Sequence, residues 1–544
     1  MALSEAQIKT LITKNNYLTG QKSDWMSYWQ DVANFCLPRK AWITTIKIYG
    51  EQLKFNYLYD SRAILALKKS ASGFHSNLTN PSSKWFNFRT LHDKYMQSGN
   101  VQRYFKEVDD TQYAVLNGSN WNESMLEYYT DDLTFGSTCI CTEEDYKTHV
   151  RYTSIPIEQI NVELDERGEL LALYRNFKYT ADQCQLKFGE KNLSQGMKDA
   201  IKDDKGYQKF DIVHYVGPRY QRDVSKKDSV NMPYKSCWIA VKEEHLLGEG
   251  GFTSNPYDFE RFWIHSDDTY GYSPAMDALA SIKLANAQKR TLIRRAMKDA
   301  DQATAQPNRF WLGRLNQNPA AINYYDKSKF TPQDFFPIPT GGNPQLSIEM
   351  MQMEQQLIDE AFFIPLFQAM TGVTKDMNVP ETQKRISESL ALIGPVVGRM
   401  VKGISRSQLR TYEILNSRGL LPPPPKEIQG QDLNVIFLSP LAKAQRFSEL
   451  NSVMTWLGIV GNISNIIPDA KDKVDSDRII DGAADLLGVD PTYIREQEKV
   501  DVIRKKNMEL RQQQMQMAMV GSIAETAKKG AEAHKAHAEA TAKK

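Results

Sequence analysis

Paired thiols, paired imidazoles, vicinal carboxylates and a glycine cluster are the groupings in this chain that could support chemistry, and each stops short of a site. Cys139 and Cys141 stand two apart in Thr138-Cys139-Ile140-Cys141-Thr142, which puts both thiols on one face of a strand. Zinc would need a second pair, and none follows at ligand spacing, so the two read as buried cysteines. His534 and His537 lie three apart on a helical tail rich in Ala and Lys, where a solvated face is the simpler account. Asp267-Asp268 could attract magnesium, but they immediately precede a helix start and suit a turn. Gly248-Glu249-Gly250-Gly251-Phe252-Thr253 begins like a dinucleotide loop and has Thr253 at the third glycine position, so a plain turn is expected. The phosphate-cradling Gly-Lys-Ser/Thr, the His-Glu-x-x-His helix and the Gly-x-Ser-x-Gly elbow are missing from the sequence. The reading is therefore a protein that is not an enzyme, with no metal and no cofactor.

Composition narrows the classes that remain. At roughly 150 residues per domain, 544 residues make three or four structural units. Apolar residues at 41% and charged residues at 25% exclude a wholly disordered chain. Lys+Arg 68 against Asp+Glu 66 leaves a net charge of +2, too little for a tight non-specific nucleic-acid grip, so any DNA contact should be local and loose. The longest candidate span, Leu390 to Ile404, is broken by Pro395, Arg399 and Lys402, so no membrane crossing is expected. The N-terminus carries no secretion pattern, and the 5 sparse cysteines argue for reduced thiols, which points to assembly in a cytoplasm.

These residues must be positioned by elements of two kinds. Helical periodicity runs from Ala2 to about Asn80 and from Val101 to Leu133, with a short extended piece at Trp85-Phe86-Asn87-Phe88 between. Short β-branched or aromatic runs then predict a mixed or antiparallel sheet: Thr138–Thr142, Val150–Ile157, Asn161–Leu164, Leu171–Lys178, Phe210–Val216 and Cys237–Lys242. One helix, Ala181 to Asp203, is expected among them. Ser273 as N-cap and Pro274 at the first helical position start a long helix to about Asp301, roughly 40 Å at ~1.5 Å per residue. One of its arcs holds Leu279, Ile282, Ile293, Ala296 and Ala300, and the next holds Lys283, Arg290, Arg294 and Lys298. A second helix, about Leu346 to Met370, is acidic through Glu349, Glu354, Asp359 and Glu360, so the two should form an antiparallel hairpin with opposite charges facing within or between subunits. Met350, Met351 and Met353 suit packing against another helix. A polar loop from Thr371 to Pro380, a long helix from Glu381 to about Arg418 ending at Gly419, and the stiff Pro422–Pro425 spacer follow. One more strand lies at Leu433–Leu438. Helices from Leu441 to about Leu487 are expected to break near Gly458, Gly461 and Pro468, and the tail is a Gln-, Met- and Ala-rich helix.

The order of these pieces resembles the portal, or head-to-tail connector, proteins of short-tailed bacteriophages. The residues that carry the resemblance are Tyr270-Gly271-Tyr272-Ser273-Pro274 with Ala275-Met276-Asp277-Ala278-Leu279, Lys283-Leu284-Ala285-Asn286, and Thr382-Gln383-Lys384-Arg385 through Leu392-Ile393-Gly394-Pro395-Val396. Arg418-Gly419-Leu420-Leu421-Pro422, Ser439-Pro440-Leu441-Ala442-Lys443-Ala444-Gln445-Arg446 and the tail around Gln514-Met515-Gln516-Met517 complete it. The segment Asp376-Met377-Asn378-Val379-Pro380 departs from the acidic, hydrophobic stretch usual in the family.

The resemblance implies an α+β, predominantly α-helical portal-type fold assembled as a ring, commonly a dodecamer, in a virion capsid vertex. By it, 1–272 would be the wing, 273–303 and 346–370 the stem helices, and 304–345 the clip. Residues 371–380 would be the channel loop, 381–439 the long helix and return strand of the wing, 440–490 the crown and 491–544 the C-terminal helical barrel. The implied partners are further copies of the chain, the major capsid protein, the large terminase subunit that drives packaging, tail adaptor or nozzle proteins, and double-stranded DNA in transit. Arg290, Arg294, Lys298 and Lys375 are the candidates for passing phosphate contact, with intersubunit ion pairing as the competing role. Trp311, Arg314 and Phe336 are the clip candidates for motor contact, although the aromatics equally suit a core. Readings from other classes are a non-portal oligomeric DNA-binding or scaffold protein, and an enzyme of unrecognised class.

Overall fold

The computed structural model describes residues 4–45, 57–96, 98–226, 228–300, 304–305, 328, 336–337, 344–371, 379–438, 453–463, 474–487, 495, 499–515, 528–530 and 533. They fall into two compact units: 1–85 with 112–418 and 439–445, and 86–111 with 419–438 and 446–544.

The first unit opens with helices α1 (Glu5–Gln21), α2 (Ser23–Cys36) and α3 (Arg62–Leu78). A capping box starts α1, with the Gln7 amide donating to Ser4 Oγ (3.3 Å) and the Ser4 amide to Gln7 Oε1 (3.1 Å). Trp29 on α2 is fully buried and donates its indole N–H to Phe135 O (3.2 Å). The helical stretch expected over 101–133 is two helices, α5 (Gly99–Gly118) and α6 (Trp121–Phe135), separated at Ser119-Asn120; a four-residue α4 (Asp93–Met96) precedes them. Asn120 has a second use. Its carboxamide accepts from Tyr152 N (3.0 Å) and donates to Tyr152 O (2.6 Å), so a side chain closes part of an edge strand that would otherwise be open.

That edge belongs to a three-stranded antiparallel sheet, order β3-β2-β9, made of β2 (Ser137–Asp145), β3 (His149–Ser154) and β9 (Tyr257–Arg261). Residues 137–142 of β2 are all buried, so both faces are covered, by α6 and by the long helix α13 (Val379–Ser417). Cys139 and Cys141 are buried here as free thiols.

A five-stranded antiparallel meander holds β4 (Ile160–Leu164), β5 (Leu170–Thr180), β6 (Lys209–Pro218), β7 (Tyr234–Ala240) and β8 (His245–Phe252) in sequence order. Side chains alternate between its faces. Ile212, Ala240 and Leu247 pack under α7 (Ala181–Phe188) and α8 (Gln195–Lys202), whereas Cys237 and Ile239 pack under Ile8 and Ile12 of α1. The single helix expected over 181–203 is thus two, broken where Gly189 takes φ +77°. Gly248-Glu249-Gly250-Gly251-Phe252 is not a turn but the body of β8, paired along its length with β7. The antiparallel arrangement agrees with the sequence reading.

After β9, a one-turn helix α9 (Pro274–Asp277) leads into α10 (Leu279–Ala300), and α11 (Pro344–Ala361) packs against α10. The second acidic helix is shorter than its periodicity predicts. Phe363 adopts φ +58°, which ends α11 and starts α12 (Ile364–Thr371) in a new direction. Phe74, Phe262 and Phe363 surround that break with ring centroids 6.2 Å apart in each contact to Phe363, so aromatic packing holds a backbone conformation that a bulky residue disfavours.

In the second unit β1 (Phe86–Thr90) pairs antiparallel with β12 (Leu433–Phe437), burying Phe86, Phe88, Val435 and Phe437, and Asp109 Oδ1 accepts from Phe88 N (3.0 Å). Helices α14 (453–463), α15 (Ser476–Leu487) and α16 (499–515) follow, the last tied to α15 by two 2.5 Å contacts between Arg504 and Asp477. Gly458 and Gly461 lie inside α14 and do not interrupt it as expected. The remaining pair, β10 (Thr304–Ala305) and β11 (Phe336–Pro337), is antiparallel. Among the described residues no helix is long and apolar enough to cross a membrane.

Candidate functional site

The α10–α11 pair is seated by a knot of backbone around Tyr270-Gly271-Tyr272-Ser273-Pro274. Gly136 ends α6 with φ +68°, and its carbonyl accepts from Phe262 N (2.9 Å). Gly271 runs so close that a Cβ on it would stand 2.3 Å from Gly136 O. The Gly271 amide donates to Ser137 Oγ (2.8 Å). Ser273, fully buried, caps the start of the helices by accepting from Met276 N (3.1 Å) while donating to Thr134 O (2.8 Å). One side chain therefore fixes the origin of the helix pair to the end of α6.

Asn286 fixes it a second time. Its Oδ1 accepts from Tyr59 N (2.7 Å) and Asp60 N (3.1 Å), and its Nδ2 donates to Tyr57 O (2.8 Å). Lys283 pairs with Asp31 of α2 and sits over the Phe35 ring. Leu279, Ile282 and Ala285 are the buried residues of α10, all in its first two turns. Ala296 and Ala300, expected on the packed arc, are exposed among the described residues, where the buried residues of α10 stop at Ala285.

Arg290, Arg294 and Lys298 recur every four residues along α10 and are exposed. Arg290 stacks over Tyr59 at 5.6 Å. None of the three is ion-paired among the described residues. Within the chain, Asp359 of α11 binds Arg62 of α3, and Gln355 donates to Asp60 Oδ2 (3.1 Å). The stripe Leu346, Met350, Met353 and Leu357 on α11 is 56%, 46%, 64% and 51% exposed, so among the described residues no helix of the same chain covers it. Phe336 stands in the two-residue strand β11 opposite Ala305. Lys375, Trp311 and Arg314 lie outside the described residues, as do His534 and His537. Asp268 accepts the Tyr272 hydroxyl through Oδ2 (2.9 Å) in the turn before α9.

A second charged constellation escapes sequence reasoning. On α13 the cations Arg399, Lys402, Arg406 and Arg410 share one face, and each reaches a different part of the sheet layer. Arg399 donates to Phe262 O (2.6 Å), Lys402 pairs with Glu169 (2.6 Å), and Arg410 donates to Thr142 O (2.7 Å) and Ser254 O (2.6 Å). Arg406 holds both Asp258 and Glu260 of β9. Their spacing on the helix is visible in the sequence; their partners, more than 100 residues away, are not. A cavity of about 440 Å³ beside this face is lined by Asp258, Glu260, Arg399 and Arg406.

Two carboxylates on one guanidinium leave buried negative charge in excess, and the proton takes up the difference. Burial and Asp258 push Glu260 up to about 7 against the pull of Arg406. Asp132 on α6, whose Oδ1 has no hydrogen-bond partner among the described residues, is pushed well above the carboxylate range by burial and by Glu260. A carboxyl with a raised folded pKa binds protons more tightly in the fold than unfolded, so its contribution is present at low pH and is lost as pH rises through the folded value. The stability contributed by these carboxyls should therefore fall between pH 5 and pH 7.5, by on the order of 3 kcal/mol for a shift like that of Glu260, while buried His214, held well below the usual imidazole range, acts in the opposite sense. Melting curves across that range test this, with Asp132→Asn expected to melt no lower at pH 7.5 and to flatten the slope. An unchanged slope in Asp132→Asn would remove Asp132 from the account.

Residues 8–494 match the family described as bacteriophage head to tail connecting protein. The "Probable portal protein" of Bordetella phage BPP-1 is 28% identical over 543 residues, covering 96% of this chain and 95% of the relative. The "Portal protein" of Salmonella phage epsilon15 is 27% identical over 533 residues, covering 97% and 96%. Among solved structures, a chain of the neck of an empty GTA particle aligns over 81% of this chain at 12% identity with a TM-score of 0.37.

Proposed function

Because the chain belongs to the bacteriophage head to tail connecting protein family, we propose that it is a portal subunit, one of a closed ring at a capsid vertex through which double-stranded DNA enters and leaves. The observation that supports the ring is the exposed Leu346–Met350–Met353–Leu357 stripe of α11, together with Arg290, Arg294 and Lys298 of α10, which carry no ion pair among the described residues. Apolar side chains at i, i+4, i+7 and i+11 form one helical seam, and such a seam is stable in water only when another surface covers it. Neighbouring copies supply that surface: a head-to-tail contact that closes gives a ring with an axial hole. Glu349 and Glu360 of one copy then offer partners for the α10 cations of the next.

The channel function follows from what the lining must avoid. Each phosphate neutralised adds salt-dependent affinity, and DNA held that way cannot slide. A net charge of +2 on the whole chain keeps the attraction weak. Arg290, Arg294, Lys298 and Lys375 make short-lived phosphate contacts in this reading. Residues 304–345 form the clip that meets the terminase motor and then the tail proteins, with Trp311, Arg314 and Phe336 as its contact positions. The capsid protein is the partner of the outer part, and ATP hydrolysis belongs to the motor.

Light scattering and native mass measurement of the purified chain should give a particle near twelve times 62.2 kDa, with a central hole in negative-stain images. Material that stays as single copies under every assembly condition sinks the proposal. In the same preparation, reversing Arg290, Arg294 and Lys298 to Glu separates their two roles: loss of the ring assigns them to neighbour contacts, and an intact ring with a shallower salt dependence of DNA retention assigns them to the channel.

A further inference from the structure

Lys22 stands at the junction of α1 and α2 and is 1% exposed. Its ammonium pairs directly with no carboxylate among the described residues, although the Glu158 charge acts on it. It donates instead to four oxygens: Ile160 O (2.7 Å), Glu158 O (3.0 Å), Ile157 O (3.1 Å) and Asn161 Oδ1 (3.3 Å). The Trp29 ring, 5.9 Å away, faces the same cation. Three backbone carbonyls and an amide oxygen converging on one point, with no donor among them, make a monovalent-cation cage in which a tethered ammonium takes the place of the ion.

Asn161 connects this cage to α1. While Oδ1 accepts from Lys22, Nδ2 donates to Thr19 Oγ1 (2.7 Å) and Asn15 Oδ1 (2.9 Å), and Asn15 Nδ2 donates on to Asn176 Oδ1 (2.8 Å). The other ties of α1 are slight. Ile8 and Ile12 are its buried apolar residues, resting on Cys237 and Ile239, and the pairs Lys9–Glu244 and Lys14–Glu163 are largely solvent-exposed. A helix held by so little is drawn from the low-stability end of the fold.

We propose that Lys22 is the built-in cation of an oxygen cage and that this one ammonium latches α1 onto the five-stranded sheet, so that an empty cage lets α1 leave as a unit and bares Cys237. Cys237 is the cysteine beneath α1. Cys36, Cys139, Cys141 and Cys184 are buried elsewhere and report on the rest of the first unit.

The test labels thiols in the full chain, comparing the wild type with Lys22→Ala and the near-isosteric Lys22→Met, each cysteine being followed separately by mass spectrometry. Modification of Cys237 alone should accelerate by about ten- to a hundredfold in both variants, since a hydrogen-bonded charged group has been removed. In Lys22→Ala, n-propylammonium or potassium chloride should restore protection where choline chloride at equal ionic strength does not. Lys22→Met, whose side chain fills the space without the charge, should not respond. Unchanged Cys237 labelling overturns the latch, acceleration of all five cysteines makes Lys22 a general core residue, and failure of every small cation to restore Lys22→Ala overturns the cage.

Discussion

Gly136→Ala and Gly271→Ala should each abolish assembly, with melting temperatures far below wild type or no soluble protein at all. At Gly136 the added Cβ would meet Tyr272 C at 2.4 Å and Gly271 O at 2.5 Å, in a backbone conformation of φ +68°. At Gly271 it would meet Gly136 O at 2.3 Å and Trp263 O at 2.9 Å. These neighbours are backbone atoms and cannot rotate aside. Overpacking of about 1–3 kcal/mol adds to a left-handed strain of about 1–2 kcal/mol at Gly136. The same knot sets the start of α9 and α10 through Ser273, so a shift there tilts the helix pair and spoils any contact between copies. Gly398→Ala is the contrast: nothing lies within 4 Å of a Cβ inside α13, and the substitution should raise stability by about 0.5–1 kcal/mol. Differential scanning measurements on the three variants decide the matter; a wild-type melting profile for Gly271→Ala would show that the knot is loose.

Arg406→Met should be the most damaging single change on the surface of α13, by about 3–5 kcal/mol, because Asp258 and Glu260 would remain buried without a counter-charge. Gly403, one turn earlier, is pressed against the same Glu260, where a Cβ would lie 2.4 Å from its Cγ, so the helix cannot slide to find another partner. The damage is electrostatic, and it should be repaired by removing the stranded charges: Arg406→Met with Asp258→Asn and Glu260→Gln should regain most of the loss in urea titrations. If the triple variant is as unstable as Arg406→Met alone, the side chain acts through packing and not through charge.

Several elements are legible in the chain because their causes are local. Ser273 and Pro274 start a helix wherever they are placed before periodic apolar residues, and the structure has the Ser273 hydroxyl accepting from Met276 N. Gly419, with φ +68°, ends α13 where expected. The β-branched runs became β2 to β7. The motifs around Gly271 and Asn286, which are weak singly, proved to be anchoring points of the helix pair, and the family match extends across residues 8–494.

The misses share a physical origin as well. Gly248 to Phe252 has turn composition, but β7 offers it a ladder of partners whose hydrogen bonds outweigh the entropy that glycine loses in an extended strand. Phe363 has no local reason to leave the helix; Phe74 and Phe262, from distant parts of the chain, supply one.

Cap-defined helix starts, the strands of β-branched composition and the family are readable from the chain alone, since caps, turns and periodicity act within a few residues. The breaks at Gly189 and Phe363, the glycine-rich β8, and the pairing, burial or exposure of each charge were set by the folded packing. Coulomb attraction and desolvation depend on distances between residues more than 100 positions apart, such as Arg406 and Glu260, and no spacing along the chain encodes them.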